Sequence, residues 1–203
     1  MKKTFITIAF VCVLSLYARA GHEHSQINQN ILIAMHAPMM ENAFSQSGDL
    51  EYDFLFNMIP HHQGAVDSSK LLLHYFELDK SLKQLVQNII KTQEQEIKEF
   101  KSILENKNYT KSKLSQKEYL DFINKEKENG QTMMHAMHSI KEDTNMQKAY
   151  IEAMIAHHQG ATMSARNFLK YSKDTKIRAI ASKIIKDQEQ EILKFKAILK
   201  TIH

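Results

Sequence analysis

The sequence predicts an all-α protein, a four-helix bundle built from a duplicated helical hairpin, with extra N-terminal and connecting helices. Three observations lead to this prediction: few helix-breaking residues, regularly spaced apolar residues, and an internal repeat. Only two prolines and five glycines occur among 203 residues, and long amphipathic helices joined by short loops favour a bundle. The repeat is clearest in two octets, MIPHHQGA at 58–65 and MIAHHQGA at 154–161.

Each octet opens a longer unit of the repeat. Further along the chain, IIKTQEQEIKEFKSIL is matched by IIKDQEQEILKFKAIL, so each unit supplies two helices that can pack as a hairpin. A weaker match, here called the echo segments, precedes each octet: MHAPMM at 35–40 and MMHAMH at 133–138. The expected division is a signal peptide at 1–20, a Met/His-rich N-terminal segment and helix at 21–48, and the duplicated bundle at 49–203, with repeat 1 at 49–108, a charged, partly helical connector at 109–143 and repeat 2 at 144–203.

The second helix of each hairpin carries a sustained apolar stripe. Its positions step by three or four residues, which is typical of one face of an amphipathic helix. The stripes are Leu82, Leu85, Ile89, Gln93, Ile97, Phe100 and Leu104 in the first copy, and Ile177, Ala181, Ile184, Gln188, Ile192, Phe195 and Leu199 in the second. The bundle helices are expected to begin after the N-caps Asp49, Asp79, Asn145 and Asp174.

The first twenty residues are typical of an export signal. A basic MKK precedes the apolar run TFITIAFVCVLSLY, and ARA supplies small residues for cleavage after Ala20. The apolar run is shorter than the roughly 20 residues of a membrane span, so we expect a periplasmic protein that is not membrane-bound after cleavage. Removing this segment lowers the formal charge from +4 to +1, which argues against a nucleic-acid partner.

The two octets carry the strongest candidate metal ligands. Residues three and four apart share a face of a helix, so the methionine of each octet lies beneath both of its histidines. The candidates are Met58, His61 and His62 in the first octet and Met154, His157 and His158 in the second. The alternative is that the methionines fill the core while one histidine of each pair faces solvent.

Two glutamines interrupt the apolar stripes. Gln93 and Gln188 stand where an aliphatic residue is expected, and a buried amide must find partners or cost free energy. Glu96 and Glu191 follow one turn later. In antiparallel hairpins these four side chains lie at the height of the histidines, so we expect them to orient the imidazoles, as outer carboxylates and amides do around metal sites.

The echo segments and the mature N-terminus supply further candidates. Methionine clusters on helices usually pack cores, but here histidines are interleaved with them. The candidate ligands are Met35, His36, Met39 and Met40 in the first echo segment, and Met134, His135, Met137 and His138 in the second. After cleavage, the free amine of Gly21 and the imidazole of His22 could also chelate Cu(II).

Donor softness selects among the metals. Thioether sulfur suits Cu(I) and the similar Ag(I), and imidazole suits copper, zinc and iron. Di-iron bundles place a glutamate three residues before a histidine, whereas this chain has Met58 and Met154 at those positions. The donor set therefore favours Cu(I), and the mature N-terminus is a candidate site for Cu(II).

The paired octets with their QEQEI partners resemble a domain-of-unknown-function family assigned to the ferritin-like superfamily. That family includes exported copper-binding and copper-resistance proteins of bacteria. The resemblance covers about 49–202 and implies a four-helix bundle that handles metal. Carried over by position, it assigns the metal site to His61, His62, His157 and His158, with Met58 and Met154 beside them.

Three functions remain open from the sequence. The favoured one is a periplasmic Met/His-rich protein that sequesters Cu(I) or Ag(I), or transfers it to other periplasmic copper-handling proteins. The second is a ferritin-like di-metal oxidase that uses the four histidines with Glu96 and Glu191. The third is a structural bundle in which the histidines only satisfy the buried glutamines. No nucleophile with a base and no phosphate-binding loop stands out in the sequence, so binding is favoured over catalysis.

Overall fold

The described residues form six helices and no strand. The computed structural model describes residues 26–106, 113–140 and 145–202, so the expected signal peptide and His22 lie outside the described residues. The helices are α1 (26–41), α2 (Leu50–Tyr75), α3 (Lys80–Asn106), α4 (Gln116–His138), α5 (Met146–Tyr171) and α6 (Thr175–Leu199). None of the helices in these ranges is long and apolar enough to cross a membrane. The all-α prediction is confirmed.

Two hairpins form the bundle. Helix α2 packs on α3, and α5 packs on α6; α2 and α5 then face each other across the middle. Phe54, near the start of α2, stacks on Phe168, near the end of α5, with 4.2 Å between the ring centroids. The two octet-bearing helices are therefore antiparallel.

The four predicted N-caps are present. Asp49, Asp79, Asn145 and Asp174 each accept a hydrogen bond from the backbone N–H three residues on, at 3.2, 3.0, 3.3 and 2.9 Å respectively. Such a cap stabilises a helix by about 1 kcal/mol, because it satisfies an N–H group that has no partner within the helix. These caps set where each bundle helix begins, and so they set the height of the octets.

The extra helices α1 and α4 carry the echo segments and lie against the octets at two glycines. A Cβ atom on Gly64 would lie 1.9 Å from the backbone oxygen of Met35, and one on Gly160 would lie 2.4 Å from Sδ of Met133. No side chain larger than hydrogen fits at either contact without a shift. Each octet glycine therefore lets a Met/His-rich helix approach its octet.

The apolar core is divided into two clusters. One contains residues from the start of α3 and α5 and the end of α6, among them Ile89, Met154 and Phe195. The other contains residues from the start of α2 and α6 and the end of α3, among them Phe54 and Phe100. Each of the four bundle helices contributes residues to both apolar clusters, and a short polar segment separates the two sets.

The ends of the two stripes differ from the prediction. Leu104 and Leu199 are only half-buried, whereas Ile103 and Ile198 take the inward positions at 4% and 8% exposure. The helix repeats every 3.6 residues, and in each copy the inward position falls three residues, not four, after the preceding phenylalanine.

Candidate metal centre

A layer of polar side chains crosses the middle of the bundle between the two apolar clusters. Each of its members belongs to α2, α3, α5 or α6, so each bundle helix contributes two. This polar layer consists of His61, His62, Gln93, Glu96, His157, His158, Gln188 and Glu191. The four histidines and two glutamines are buried, and burial of so many polar groups in one plane is costly unless partners are found.

His61 and His157 meet at the centre of the layer. Their ring centroids are 3.8 Å apart with 36° between the ring planes. Within the described parts of the chain, none of their four ring nitrogens has a hydrogen-bond partner. Burial, together with the neighbouring histidines, lowers the pKa of both imidazoles well below 6.5. At neutral pH both rings are therefore neutral, and each carries a nitrogen lone pair that no proton occupies.

His62 and His158 are each held by a carboxylate. Nε2 of His62 lies 3.0 Å from Oε2 of Glu96, and Nε2 of His158 lies 2.9 Å from Oε2 of Glu191. A carboxylate accepts the hydrogen bond, so Nε2 donates, and Nδ1 is the ring nitrogen that takes no part in this contact. Both Nδ1 atoms are buried without a partner among the described residues. This is the arrangement in which outer carboxylates orient metal-binding imidazoles.

The two halves differ at Lys183. Its ammonium group donates to the other oxygen of Glu96 at 2.7 Å, whereas the corresponding position of the first repeat is Asn88. Burial opposes ionisation of Glu96, but the hydrogen bonds from His62 and Lys183 together outweigh it, and the pKa of this carboxyl lies below its ordinary value. Lys183 was not among the residues predicted for the site, although the mismatch between the aligned repeats was a signal for it.

The glutamines do not perform the orienting role expected of them. Gln93 and Gln188 are 2% and 3% exposed, and neither their oxygen nor their nitrogen atoms have partners in the described ranges. The glutamates take the histidine contacts instead, because they lie one turn further along the same helices. The amides therefore remain as polar groups inside the layer that no protein group satisfies.

The octet methionines lie on opposite sides of the layer. Met58 is 2% exposed and belongs to the cluster with Phe54, whereas Met154 is fully buried in the other cluster. No group of three or more His, Cys, Asp or Glu side chains in the described residues is already arranged to hold a metal ion. A cation bound at this layer therefore needs methionine sulfur, or a rotation that separates the stacked rings, to complete its donors.

The echo segments reach four different environments. Met39, Met40 and Met134 line a cavity of about 390 Å³ that Met58 and His61 also line. Elsewhere, the rings of His36 and His138 lie edge to face with centroids 5.9 Å apart, which joins α1 to α4. The remaining candidates are Met35 and Met137, which are buried in the apolar core, and His135, which is exposed.

A buried carboxyl of the connector also lines this cavity. Glu126 of α4 accepts hydrogen bonds from Ser164 at 2.5 Å and from Asn167 at 2.8 Å. Burial raises its pKa, and these two hydrogen bonds oppose the rise. Glu126 was not among the residues predicted for the site, because it stands in a highly charged segment that resembles a solvated face.

These features define a class of protein: a bundle of two helical hairpins with a histidine-centred polar layer across its middle. Residues 51–199 match the model of a family described as a domain of unknown function, DUF305. The chain belongs to this family, as the resemblance of the octets predicted.

Solved structures of the protein CopM are similar to this chain. The silver-bound form obtained by soaking has 26% sequence identity, covers 75% of this chain and 96% of its own, and superposes with a TM-score of 0.55. The Cu(II)-bound form has 27% identity, 74% and 96% coverage and a TM-score of 0.55. The Cu(I)-bound form has 28% identity, 74% and 96% coverage and a TM-score of 0.53. No curated protein sequence matches the chain.

Proposed function

We propose that the protein binds Cu(I), or the similar Ag(I), at the polar layer, and that it sequesters or transfers this ion in periplasmic copper homeostasis. The observation that carries the proposal is the stacked pair His61 and His157, whose four ring nitrogens are buried without partners in the described chain. The similarity to CopM, which has been solved with silver and with copper in two oxidation states, supports the same chemistry.

The residues of the layer fit a soft cation. Neutral imidazole nitrogens and thioether sulfur are the donors that Cu(I) accepts. The nitrogens of His61 and His157 and the thioethers of Met58 and Met154 would hold the ion, and the Nδ1 atoms of His62 and His158 are further donors. A bound cation would use lone pairs that the protein leaves unused and would remove the cost of burying them.

A di-metal oxidase is less well supported by the layer. Such centres use glutamates as direct ligands, but Glu96 and Glu191 are already engaged with His62 and His158. Met58 and Met154 also stand three residues before a histidine, at the position where a di-iron site requires glutamate.

A purely structural layer is less well supported as well. That alternative requires the histidines to satisfy the buried glutamines, and no amide atom of Gln93 or Gln188 has a partner in the described part of the chain. A layer selected for stability alone should leave few buried polar atoms unpaired.

The cellular setting belongs to the proposal. The signal-like segment at 1–20 would export the chain, with cleavage after Ala20. The proposed partners are metal ions and other copper-handling proteins of the periplasm. The test of location is the intact mass of the exported protein, which should correspond to a chain that begins at Gly21.

The metal site is tested by replacing the stacked pair. In the mature protein, Cu(I) affinity measured against a competing chelator should fall at least about tenfold, or about 1.4 kcal/mol, in the double variant His61→Ala with His157→Ala. His74→Ala is the matched control, because His74 lies on the same helix α2 but is exposed in its last turn. Equal Cu(I) affinity in the double variant and the wild type would contradict the proposal.

A further inference from the structure

The methionine-lined cavity connects the protein surface with the polar layer. It has a volume of about 390 Å³ and lies among residues of α1, α2, α4 and α5. Both echo segments meet there, although they are far apart in sequence. Exposure falls along its methionines: Met40 is 71% exposed, Met39 and Met134 are half-buried, Met58 is 2% exposed, and His61 of the stacked pair is 7% exposed.

We propose that this cavity is the access path along which a soft monovalent cation reaches the polar layer, passing between the thioethers of Met40, Met39 and Met134. This inference rests on the proposed function and adds a route to it. A cation that leaves water for an apolar wall loses its hydration at high cost unless donors replace the water. Thioether sulfur is such a donor for Cu(I) and Ag(I) and a poor one for hard cations.

The arrangement suits passage better than permanent binding. Transport along a path requires sites that bind well enough to admit an ion and weakly enough to release it. Among the described residues that line the cavity, the ionisable carboxyl of Glu126 and the ammonium group of Lys127 oppose each other in sign. The walls therefore carry little net formal charge, and selection for a soft ion depends on sulfur.

The path reaches the layer from one side. Met58 and His61 of the first octet line the cavity, whereas the second octet contributes Gly160. The cavity thus gives access to the histidines of the first octet and does not give equal access to those of the second. His61 is the member of the stacked pair that an arriving ion meets first.

The test separates the rate of loading from the strength of binding. Cu(I) is supplied from a coloured chelator complex to the mature protein, and both the rate of transfer and the final equilibrium are recorded. In the triple variant Met39→Leu, Met40→Leu and Met134→Leu, transfer should slow at least about tenfold while the equilibrium affinity stays within about threefold of the wild type. Leucine conserves volume and apolarity, so the fold is retained.

Two further variants make the result specific. Met163→Leu changes a half-buried methionine of α5 that is not among the residues lining the cavity, and it should load at the wild-type rate. Met40→Leu alone changes a side chain that is 71% exposed. It cannot disturb the core, and it should slow transfer by a smaller factor than the triple variant.

The outcomes are distinguishable. Wild-type loading rates in the triple variant would overturn the access path and leave the proposed function standing. A proportional loss of equilibrium affinity would also overturn it, because the three methionines would then be ligands of the stored ion. A wild-type protein that takes up no Cu(I) at equilibrium would overturn the proposed function and the path together.

Discussion

At the scale of single residues, adjacent histidines in one octet have different roles. His62 and His158 are each anchored through Nε2 by a glutamate, whereas His61 and His157 meet each other with no hydrogen bond to the described chain. An unpaired polar group in a protein interior costs about 1–3 kcal/mol. The stacked pair is therefore a cost to the metal-free fold, and a bound cation would offset it.

The role of the octet methionines can be separated from packing by a volume-conserving change. Met58→Leu with Met154→Leu should lower the free energy of unfolding of the metal-free protein by less than about 1.5 kcal/mol per site. Cu(I) and Ag(I) affinity should fall, because leucine removes a soft donor, while Zn(II) affinity should change little. Thermal melts and chelator-competition titrations measure the two effects.

Met146→Leu is the matched control for that experiment. Met146 is a buried methionine of the same helix α5, 3% exposed, in its first turn. It should show the packing cost without the loss of Cu(I) affinity. If the double variant binds Cu(I) as tightly as the Met146→Leu protein does, the octet methionines only fill the core.

At the scale of elements, two glycines determine how closely α1 and α4 approach the octets. The contacts differ in kind: Gly64 faces the rigid backbone oxygen of Met35, and Gly160 faces the flexible side chain of Met133. Both glycines thus allow an additional helix to pack closely against an octet. An added side chain is tolerated less well at Gly64 than at Gly160. The echo helices are positioned by backbone contact on one side and by side-chain packing on the other.

Alanine substitutions should rank these glycines. Gly64→Ala should destabilise the fold by about 1–3 kcal/mol, because α1 must move away from α2. Gly160→Ala should cost less, since Met133 can turn aside and alanine favours the helix by about 1 kcal/mol. Gly130→Ala is the control: beyond its own turn of helix backbone, the added Cβ would meet nothing within 4 Å, so it should stabilise α4. Urea unfolding of the three variants gives the ranking, and equal losses at Gly64 and Gly160 would contradict it.

At the scale of the whole molecule, the polar layer couples the stability of the bundle to pH. In the unfolded chain, His61 and His157 take up protons near their ordinary pKa of about 6.5. In the folded protein, burial lowers the pKa of both rings well below that value. Below about pH 6.5 the unfolded state therefore binds more protons than the folded state, and stability falls as pH falls.

The metal-free protein should accordingly lose up to about 2.7 kcal/mol of unfolding free energy per pH unit below about pH 6.5, until the buried rings themselves become protonated. Urea denaturation between pH 5 and pH 8 measures this slope. The double variant His61→Ala with His157→Ala should lack this part of the slope, whereas His74→Ala should retain it. A wild-type slope in the double variant would mean that folding does not lower the pKa of the stacked rings.

Local features of the fold were predictable from the sequence because they depend on neighbouring residues. Each N-cap bonds to the N–H three residues on, and the stripes follow from helical periodicity. The pairing of the histidines with Glu96 and Glu191 was accessible too, since the antiparallel hairpin puts these side chains at one height. The glutamines were assigned the same role and do not have it, because a shift of one turn moves a side chain out of hydrogen-bonding reach.

The sequence by itself determined the helices, their starting points, the duplication and the set of soft donors. Only the tertiary structure decided which histidines meet, that Lys183 distinguishes one half from the other, and that both echo segments converge beside the first octet. The physical reason is the range of the interactions. Capping and periodicity act over three or four residues, whereas these choices depend on how two hairpins and two additional helices pack. The motifs that the two repeats share contain little information about that asymmetric packing.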